Sequence, residues 1–220
     1  MCYSLSASIA ALIIGMISAA VVATEAEARP LAYTIAWISL VQAAEAMAYA
    51  YPSSRGAVAR ALILLLGTQL IFLAPSAKSV TVCASVGVFA LVFACTAAFA
   101  QHVPAVRLNC SAAPGCRMEW PFLQGWIGPV LALQYVIMVV LLYLRRKESP
   151  AYMAAIVTLA LSLGLSLTLR NSPASPWCMF AALCFPIVAG AVLWKRHLTP
   201  DAAKNAEEEQ ADALKRKNRI

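Results

Sequence analysis

The sequence predicts an all-α, polytopic membrane protein: a bundle of seven transmembrane helices with its N-terminus outside and its C-terminus inside. Three observations predict this class. The chain is 62% hydrophobic and only 12% charged, it divides into apolar runs of membrane-spanning length, and its basic residues favour one side. A soluble domain of 220 residues buries only about 70% of its unfolded surface. The composition therefore argues against a soluble enzyme, a nucleic-acid-binding protein and a disordered chain.

The predicted spans are runs of about 20 largely apolar residues, the length that a helix needs to cross hydrocarbon. Proline-containing segments separate most of them, and proline stops helices because it lacks an N–H donor. The first span has the small-residue exit of a signal peptide but no basic N-terminal region, so we expect it to be retained. The spans are Ser6–Ala23, Leu31–Tyr51, Ala57–Ala74, Ser79–Ala100, Gly125–Leu144, Ala151–Leu169 and Trp177–Trp194.

The orientation follows from the distribution of Lys and Arg, which accumulate in cytoplasmic segments. With the N-terminus outside, the inner segments hold 12 basic residues and the outer segments hold 5. We divide the chain into a transmembrane domain, 1–197, and a charged, solvated cytoplasmic tail, 198–220. The outer five are Arg55, Arg60, Arg107, Arg117 and Arg170, whereas the inner twelve are Arg29, Lys78, Arg145, Arg146, Lys147, Lys195, Arg196, Lys204, Lys215, Arg216, Lys217 and Arg219.

The segment Gln101–Gln124 is the one long connection between predicted spans, and it would lie outside. It is either a functional loop or a cap over the outer face. Cys110 and Cys116 flank a Pro-Gly turn in this loop, and they are either a local disulfide or two free thiols. Asn109 begins a glycosylation sequon if the host is eukaryotic. Four other cysteines lie in apolar runs and are expected to be buried: Cys83, Cys95, Cys178 and Cys184.

Glu45 interrupts the apolar pattern most sharply, because it is the only ionisable residue deep within a predicted span. A charge at mid-bilayer costs about 2.5–3.5 kcal/mol on insertion scales, so such a group faces the bundle interior, pairs or stays protonated. Ser39, Gln42 and Tyr49 share its helix face at helical spacing. Other spans offer polar side chains that can complete a ligand or ion pathway: Thr68, Gln69, Gln134, Tyr135, Ser162 and Ser166.

Two interpretations of these residues remain open. In the functional one, the polar site around Glu45 takes a cation, a proton or a polar ligand, and the protein is a transporter-, channel- or receptor-like bundle. In the structural one, Glu45 is protonated and the amides join helices through hydrogen bonds worth about 0.6 kcal/mol each. The protein is then a non-catalytic structural or assembly subunit of a membrane complex.

The sequence argues against enzyme activity and predicts no catalytic residue, no metal and no cofactor. The last span has no lysine for a retinal Schiff base, and no span contains a histidine to act as a base or haem ligand. His102 and His197 would lie on opposite sides of the membrane and cannot share a zinc ion. The expected partners are the lipid bilayer and, if the chain assembles further, an oligomer or a membrane complex. Nucleic acid is not expected, and the sequence does not indicate which membrane holds the protein.

Several short motifs occur in a recognisable order along the chain. It opens Met1-Cys2-Tyr3-Ser4, carries Gln42-Ala43-Ala44-Glu45 in the second span, has a cysteine-containing outer loop ending at Trp120, and starts its last span with Trp177-Cys178. In these motifs the chain resembles an uncharacterised family of seven-helix membrane proteins of bacteria and large DNA viruses. The resemblance implies a seven-helix fold and no established activity. The chain departs from that family at Gln69 and Arg117, where members often have histidine, which weakens a shared proton-relay role.

Overall fold

A computed structural model describes residues 4–74, 79–109, 117–168 and 177–198, with the side chains of 117 and 162–183 left aside. The expectation of a mainly helical chain with seven helices is confirmed over these residues, and a short β-hairpin is added to it. The helices are α1 (Leu5–Ala23), α2 (Arg29–Ala50), α3 (Arg55–Thr68), α4 (Val80–Ala98), α5 (Ile127–Leu144), α6 (Pro150–Thr168) and α7 (Trp177–Leu198), and strand β1 (Arg107–Asn109) pairs antiparallel with β2 (Arg117–Glu119).

The residues that helix α1 buries are mostly small, whereas its exposed face includes large apolar residues. Its buried face includes Ala11, Gly15 and Ala19, whereas Ile13 and Ile17 are 53% and 60% exposed. A helix in water would bury the isoleucines, because removing apolar surface from water is the main force that folds soluble proteins. In lipid that force is absent, and small residues pack helices closely. The pattern is therefore typical of a membrane protein.

Five helices within the described residues are long and apolar enough to cross a membrane. Each is at least 18 residues long, and at 1.5 Å per residue such a helix approaches the ~30 Å of the hydrocarbon core. A shorter apolar helix, Pro150–Leu161, follows them. These segments indicate that the chain is a multi-pass membrane protein. The five are Leu5–Ala23, Ala26–Ala50, Pro52–Phe72, Val80–Ala98 and Ile127–Leu144.

The helices contact one another in the order α3, α2, α1, α7, α6 and α5, and α5 also contacts α3. Helix α1 lies between α2 and α7, α2 also contacts α3, and α6 lies between α7 and α5. Helix α4 is peripheral, since its main helical partner is α3 together with the turn that follows α3. Accordingly α2 is the most buried of the five candidate spans and α4 the least buried.

The contact between α1 and α2 depends on Gly15. A Cβ atom at this position would lie 2.1 Å from Ser39 Oγ and 2.9 Å from Ser39 Cβ. It would also approach the Phe185 ring of α7 to 3.2 Å. Because real Cβ atoms do not come this close to other atoms, only glycine lets α1, α2 and α7 meet here. Gly67 plays the same part between α3 and α4, where an added Cβ would lie 2.7 Å from Ala94 Cβ.

The β-hairpin and the turn after it cover one end of the bundle. Met118, Trp120 and Phe122 are buried there and pack with apolar residues from α2 to α5. Trp120 stacks on Phe122 with ring centroids 5.9 Å apart. Of the two interpretations of this loop, the packing supports a cap over the bundle end. Trp126 is more than half exposed, as expected for an interfacial aromatic residue.

The helix boundaries differ from the predicted spans mainly in the third and seventh helices. The predicted third span ran to Ala74, whereas α3 ends at Thr68 and continues as a 3-10 turn from Gln69 to Phe72. Helix α7 reaches Leu198, one turn beyond the predicted Trp194. That turn contains Lys195 and Arg196, whose side chains contact the segment after α1. The rest of the predicted tail, 199–220, lies outside the described residues.

The cysteines of the apolar helices are less buried than expected. Cys95 is exposed, and Cys83 and Cys184 are half-buried free thiols. The expectation that Cys95 is buried is wrong, because α4 packs mainly on α3 and turns its other faces outward. The side chain of Cys178 and the whole of Cys110 and Cys116 lie outside the described residues, so the predicted disulfide is not tested.

Candidate functional site

The polar face of α2 points into the bundle, as the helical spacing predicts. Ser39, Gln42 and Glu45 are each at most 1% exposed. Tyr49, one turn beyond Glu45, is half-buried and is close enough for the carboxyl group to act on it electrostatically. Ser39 Oγ donates to the carbonyl oxygen of Ile35 at 2.7 Å. The face therefore presents a row of polar groups along the half of α2 that lies nearer to the β-hairpin.

Glu45 lies near the hairpin end of the bundle and not at its middle. It is five residues before the last residue of α2, Ala50, which corresponds to about 8 Å along the helix axis. Its neighbours Ala44 and Ala48 belong to the apolar cluster under the hairpin. A carboxyl group here can exchange a proton or coordinate a cation, since an ionised carboxylate offers only acceptors.

A second polar group forms where α3 stops being an α-helix. An α-helix leaves its last carbonyl groups without intrahelical donors, and here side chains supply them. Trp37 Nε1 donates to the carbonyl oxygen of Leu65 and to Thr68 Oγ1, each at 3.0 Å. Gln134 Nε2 donates to the carbonyl oxygen of Gly67 at 3.0 Å. The chain can therefore change to a 3-10 turn inside the bundle.

Gln69 is the first residue of that 3-10 turn and is fully buried. Its amide lies beside the Tyr135 hydroxyl of α5, without the geometry of a regular hydrogen bond. The adjacent Gln134 is fully buried as well. The structure thus brings together three of the polar residues that the sequence singled out on the third and fifth spans.

The predicted site residues accordingly form two groups. The first is Gln42, Glu45 and Tyr49 on α2. The second, Gln69 and Gln134, lies at the level of Trp37, which is eight residues from Glu45 or about 12 Å along α2. Ser162 and Ser166 are within α6, but their side chains lie outside the described residues.

A third polar cluster, which sequence reasoning missed, joins three segments at the opposite end of the bundle. Glu25, in the linker between α1 and α2, is only 8% exposed. Its carboxylate forms an ion pair with Lys195 of α7 and accepts a hydrogen bond from Ser149 Oγ, before α6, at 2.7 Å. We call Glu25, Ser149 and Lys195 the linker cluster.

Neighbouring contacts strengthen this end of the bundle. Tyr152 donates from its hydroxyl to the carbonyl oxygen of Glu27 at 2.7 Å. Arg196 donates to the carbonyl oxygen of Thr24 at 2.9 Å. One feature of the sequence could have indicated this cluster. The short linker between the first two spans contains a carboxylate, and basic residues follow the seventh span, which ends on the same side of the membrane. The linker cluster shows that the end of α1, the start of α6 and the end of α7 lie on one face.

No protein-family model, curated protein or solved structure matches this chain. Within the described residues, no three side chains of the His, Cys, Asp and Glu types come close enough together to hold a metal ion. Function is therefore indicated by the burial and the contacts of the chain's own residues.

The linker cluster gives a direct test of the packing of α7. We expect Glu25→Ala to lower the free energy of unfolding by about 2 kcal/mol. The change removes the buried carboxylate, and with it the charge-assisted hydrogen bonds that this group accepts from Ser149 and Lys195. Glu25→Lys should destabilise more, since it places a third positive charge beside Lys195 and Arg196. Thermal unfolding in detergent measures both effects.

The matched control is Lys147→Ala, which removes an exposed positive charge from the same end and should change stability by less than about 0.5 kcal/mol. The double variant Glu25→Lys with Lys195→Glu should regain part of the stability lost in Glu25→Lys. If the double variant is no more stable than the single one, the ion pair does not hold α7 in place.

Proposed function

We propose that the chain is a seven-span membrane bundle with its N-terminus outside and its C-terminus inside. The linker cluster supports this arrangement, because it collects the ends of α1, α6 and α7 on one face. Because successive spans run in opposite directions, the hairpin between α4 and α5 would lie on the other face. The linker face also carries Arg145 and Arg196, and an excess of basic residues is typical of the cytoplasmic side.

We propose further that this bundle is transporter-, channel- or receptor-like and acts on a cation or a proton at a polar site around Glu45. The observation that carries the proposal is the complete burial of Glu45 on a helix face that continues through Gln42 and Ser39. An intramembrane carboxyl group is costly to insert and most often serves an ion or proton pathway. An acidic site attracts cations and repels anions.

The proposed pathway uses the polar residues that the sequence identified. Glu45 binds the cation or proton, with Gln42 and Tyr49 as its neighbours on α2. The buried amides at the break of α3 extend the polar interior towards the linker face. The full set is Glu45, Gln42, Tyr49, Gln69, Gln134, Ser162 and Ser166.

One observation favours the alternative of a structural or assembly subunit. The outward face of α4 and Trp126 form an apolar groove of about 650 Å³, lined by residues such as Val88, Phe89 and Val92. A groove of this kind can receive a helix of another subunit. In that case Glu45 is a packing residue and the protein by itself carries no flux.

Reconstitution into liposomes separates the two candidates. The purified protein should carry a proton or monovalent-cation flux that depends on Glu45 and is reduced in Glu45→Gln. If wild-type vesicles leak no faster than protein-free vesicles, the transport proposal fails and the assembly role gains support.

We also propose that Cys110 and Cys116 form a disulfide outside the membrane. The support is the hairpin register, which pairs Asn109 with Arg117, the residues directly before Cys110 and directly after Cys116. Bridged cysteines need Cα atoms about 4.4–6.8 Å apart, and paired antiparallel strands have spacings in this range.

Peptide mapping without reduction tests this disulfide. We expect one linked peptide containing both cysteines, while Cys83, Cys95 and Cys184, which are free thiols, react with an alkylating reagent after denaturation. Alkylation of Cys110 and Cys116 in unreduced protein would show that the loop has no such bond.

The membership of the chain in the seven-helix family of bacteria and large DNA viruses remains a proposal supported by its short motifs. The buried Gln42 and Glu45 give one of those motifs a place in the bundle interior. A shared proton relay through histidine is not proposed, since Gln69 occupies the third-helix position.

A further inference from the structure

The break of α3 lies deep in the bundle, about halfway between the linker face and Glu45. Trp37, which caps the break, is eight residues after Arg29 and eight before Glu45, or about 12 Å along α2 from each. Non-helical backbone at membrane depth is tolerated where it is buried in protein or lines a water-containing cavity. The described contacts account for part of the break, because Trp37 and Gln134 supply donors to two of its carbonyl groups.

The amide of Gln69 is the part that the described contacts account for least, and its neighbour is the Tyr135 hydroxyl. Both its Nε2 and its Oε1 are buried and make no hydrogen bond to any residue whose side chain the structure describes. The Oε1 atom of Gln134 is likewise buried and accepts no hydrogen bond from the described residues, although the Nε2 atom of the same side chain donates to the carbonyl oxygen of Gly67. Buried polar atoms of folded proteins nearly always have a partner, either protein or ordered water. The unsatisfied atoms of these two glutamines, which both lie at the break of α3, therefore indicate a bound polar species.

We propose that Gln69, Gln134 and Tyr135 form a site that holds ordered water at the break of α3. The three side chains carry amide and hydroxyl groups and no formal charge. They cannot neutralise the charge of a buried ion, and this favours a neutral occupant. The unsatisfied atoms comprise one donor group and two acceptors, and water both donates and accepts. A larger apolar occupant would leave the same atoms unsatisfied. Water is the smallest species that matches the set.

This water site stands independently of transport through Glu45. It follows from the α3 break and the two amides, and it would exist in a structural subunit too. If Glu45 does serve a proton or cation pathway, the site supplies a hydrated step between Glu45 and the linker face.

Radiolytic hydroxyl-radical labelling of the protein in lipid nanodiscs tests the site, because radicals formed from bound water oxidise the side chains beside it. We expect Tyr135, whose hydroxyl is buried, to be oxidised at least threefold faster than Met118, which is buried in the cap. Tyr51, which is 62% exposed at a helix end, provides the upper reference.

The variant Gln69→Leu should reduce the labelling of Tyr135 at least threefold and leave that of Tyr51 unchanged. Gln134→Met, which keeps the length of the side chain, should give a smaller reduction in the same direction. Labelling of wild-type Tyr135 at or below the rate of Met118 would overturn the proposal without any variant. Equal labelling of Tyr135 in wild type and in a folded Gln69→Leu protein would overturn it as well.

Discussion

The variant Gly15→Leu should lower the free energy of unfolding by about 3 kcal/mol or prevent the accumulation of folded protein. A side chain at this position has no room, since even a Cβ atom would lie 2.1 Å from Ser39 Oγ. Overpacking of a close contact typically costs 1–3 kcal/mol, and here α1 must move away from both α2 and α7. Thermal or denaturant unfolding in detergent measures the effect.

Gly190→Leu is the matched control. Gly190 lies in α7, and an added Cβ there would meet no atom within 4 Å. Leucine is a better helix former than glycine, so this variant should be as stable as wild type or slightly more stable. The smaller change Gly15→Ala should also be destabilising. Adding Ser39→Ala to it should restore part of the lost stability, because this second change removes Ser39 Oγ, the atom closest to the new Cβ. Equal stability of Gly15→Leu and wild type would mean that α1 does not pack on α2 as described.

The variant Glu45→Gln should reduce the proton or cation flux of reconstituted protein at least tenfold while leaving the fold intact. Glutamine has nearly the shape of glutamic acid but cannot release a proton or offer a negative charge. The change therefore removes the chemistry of the site and keeps the packing of the fully buried side chain. A voltage or pH gradient across the liposome membrane drives the flux, and a trapped dye reports it.

Glu27→Gln controls for the loss of one carboxylate, because Glu27 is exposed in the linker between α1 and α2. Its contact with Tyr152 uses the backbone carbonyl group and is retained. We expect its flux to equal that of wild type. Should Glu45→Gln conduct as well as Glu27→Gln in vesicles where wild type is active, the carboxyl group plays no part in the pathway.

The helices and the buried face of α2 could be predicted from the sequence because both depend on local properties. The length of an apolar run determines whether it can cross hydrocarbon. The three-residue spacing from Ser39 through Gln42 to Glu45 determines that these side chains share one face. Burial of that face confirms the inward direction, whereas the ligand of the site stays a prediction.

The break of α3 could not be predicted, because it depends on donors from other helices. Nothing between Gly67 and Phe72 is incompatible with an α-helix, and the apolar run continues to Ala74. Trp37 and Gln134 lower the energetic cost of the break, because they donate hydrogen bonds to the released carbonyl groups. Their positions opposite α3 become visible only in the folded chain.

The linker cluster was missed for a related reason. Glu25 is 124 residues from Ser149 and 170 residues from Lys195, and a carboxylate in a short polar linker is ordinarily solvated. Its burial results from the meeting of three helix ends. Similarly, the exposure of Cys95 follows from the peripheral place of α4, which no local pattern indicates.

The central claim is that lipid covers the large apolar side chains while the polar face of α2 is turned inward. Labelling with a photoactivated carbene dissolved in the hydrocarbon of liposomes tests it most directly. The account predicts label at exposed residues such as Ile13, Val92 and Val136, and none at the buried Ala19 and Leu62. Label distributed evenly over both groups, or confined to the second, would contradict it.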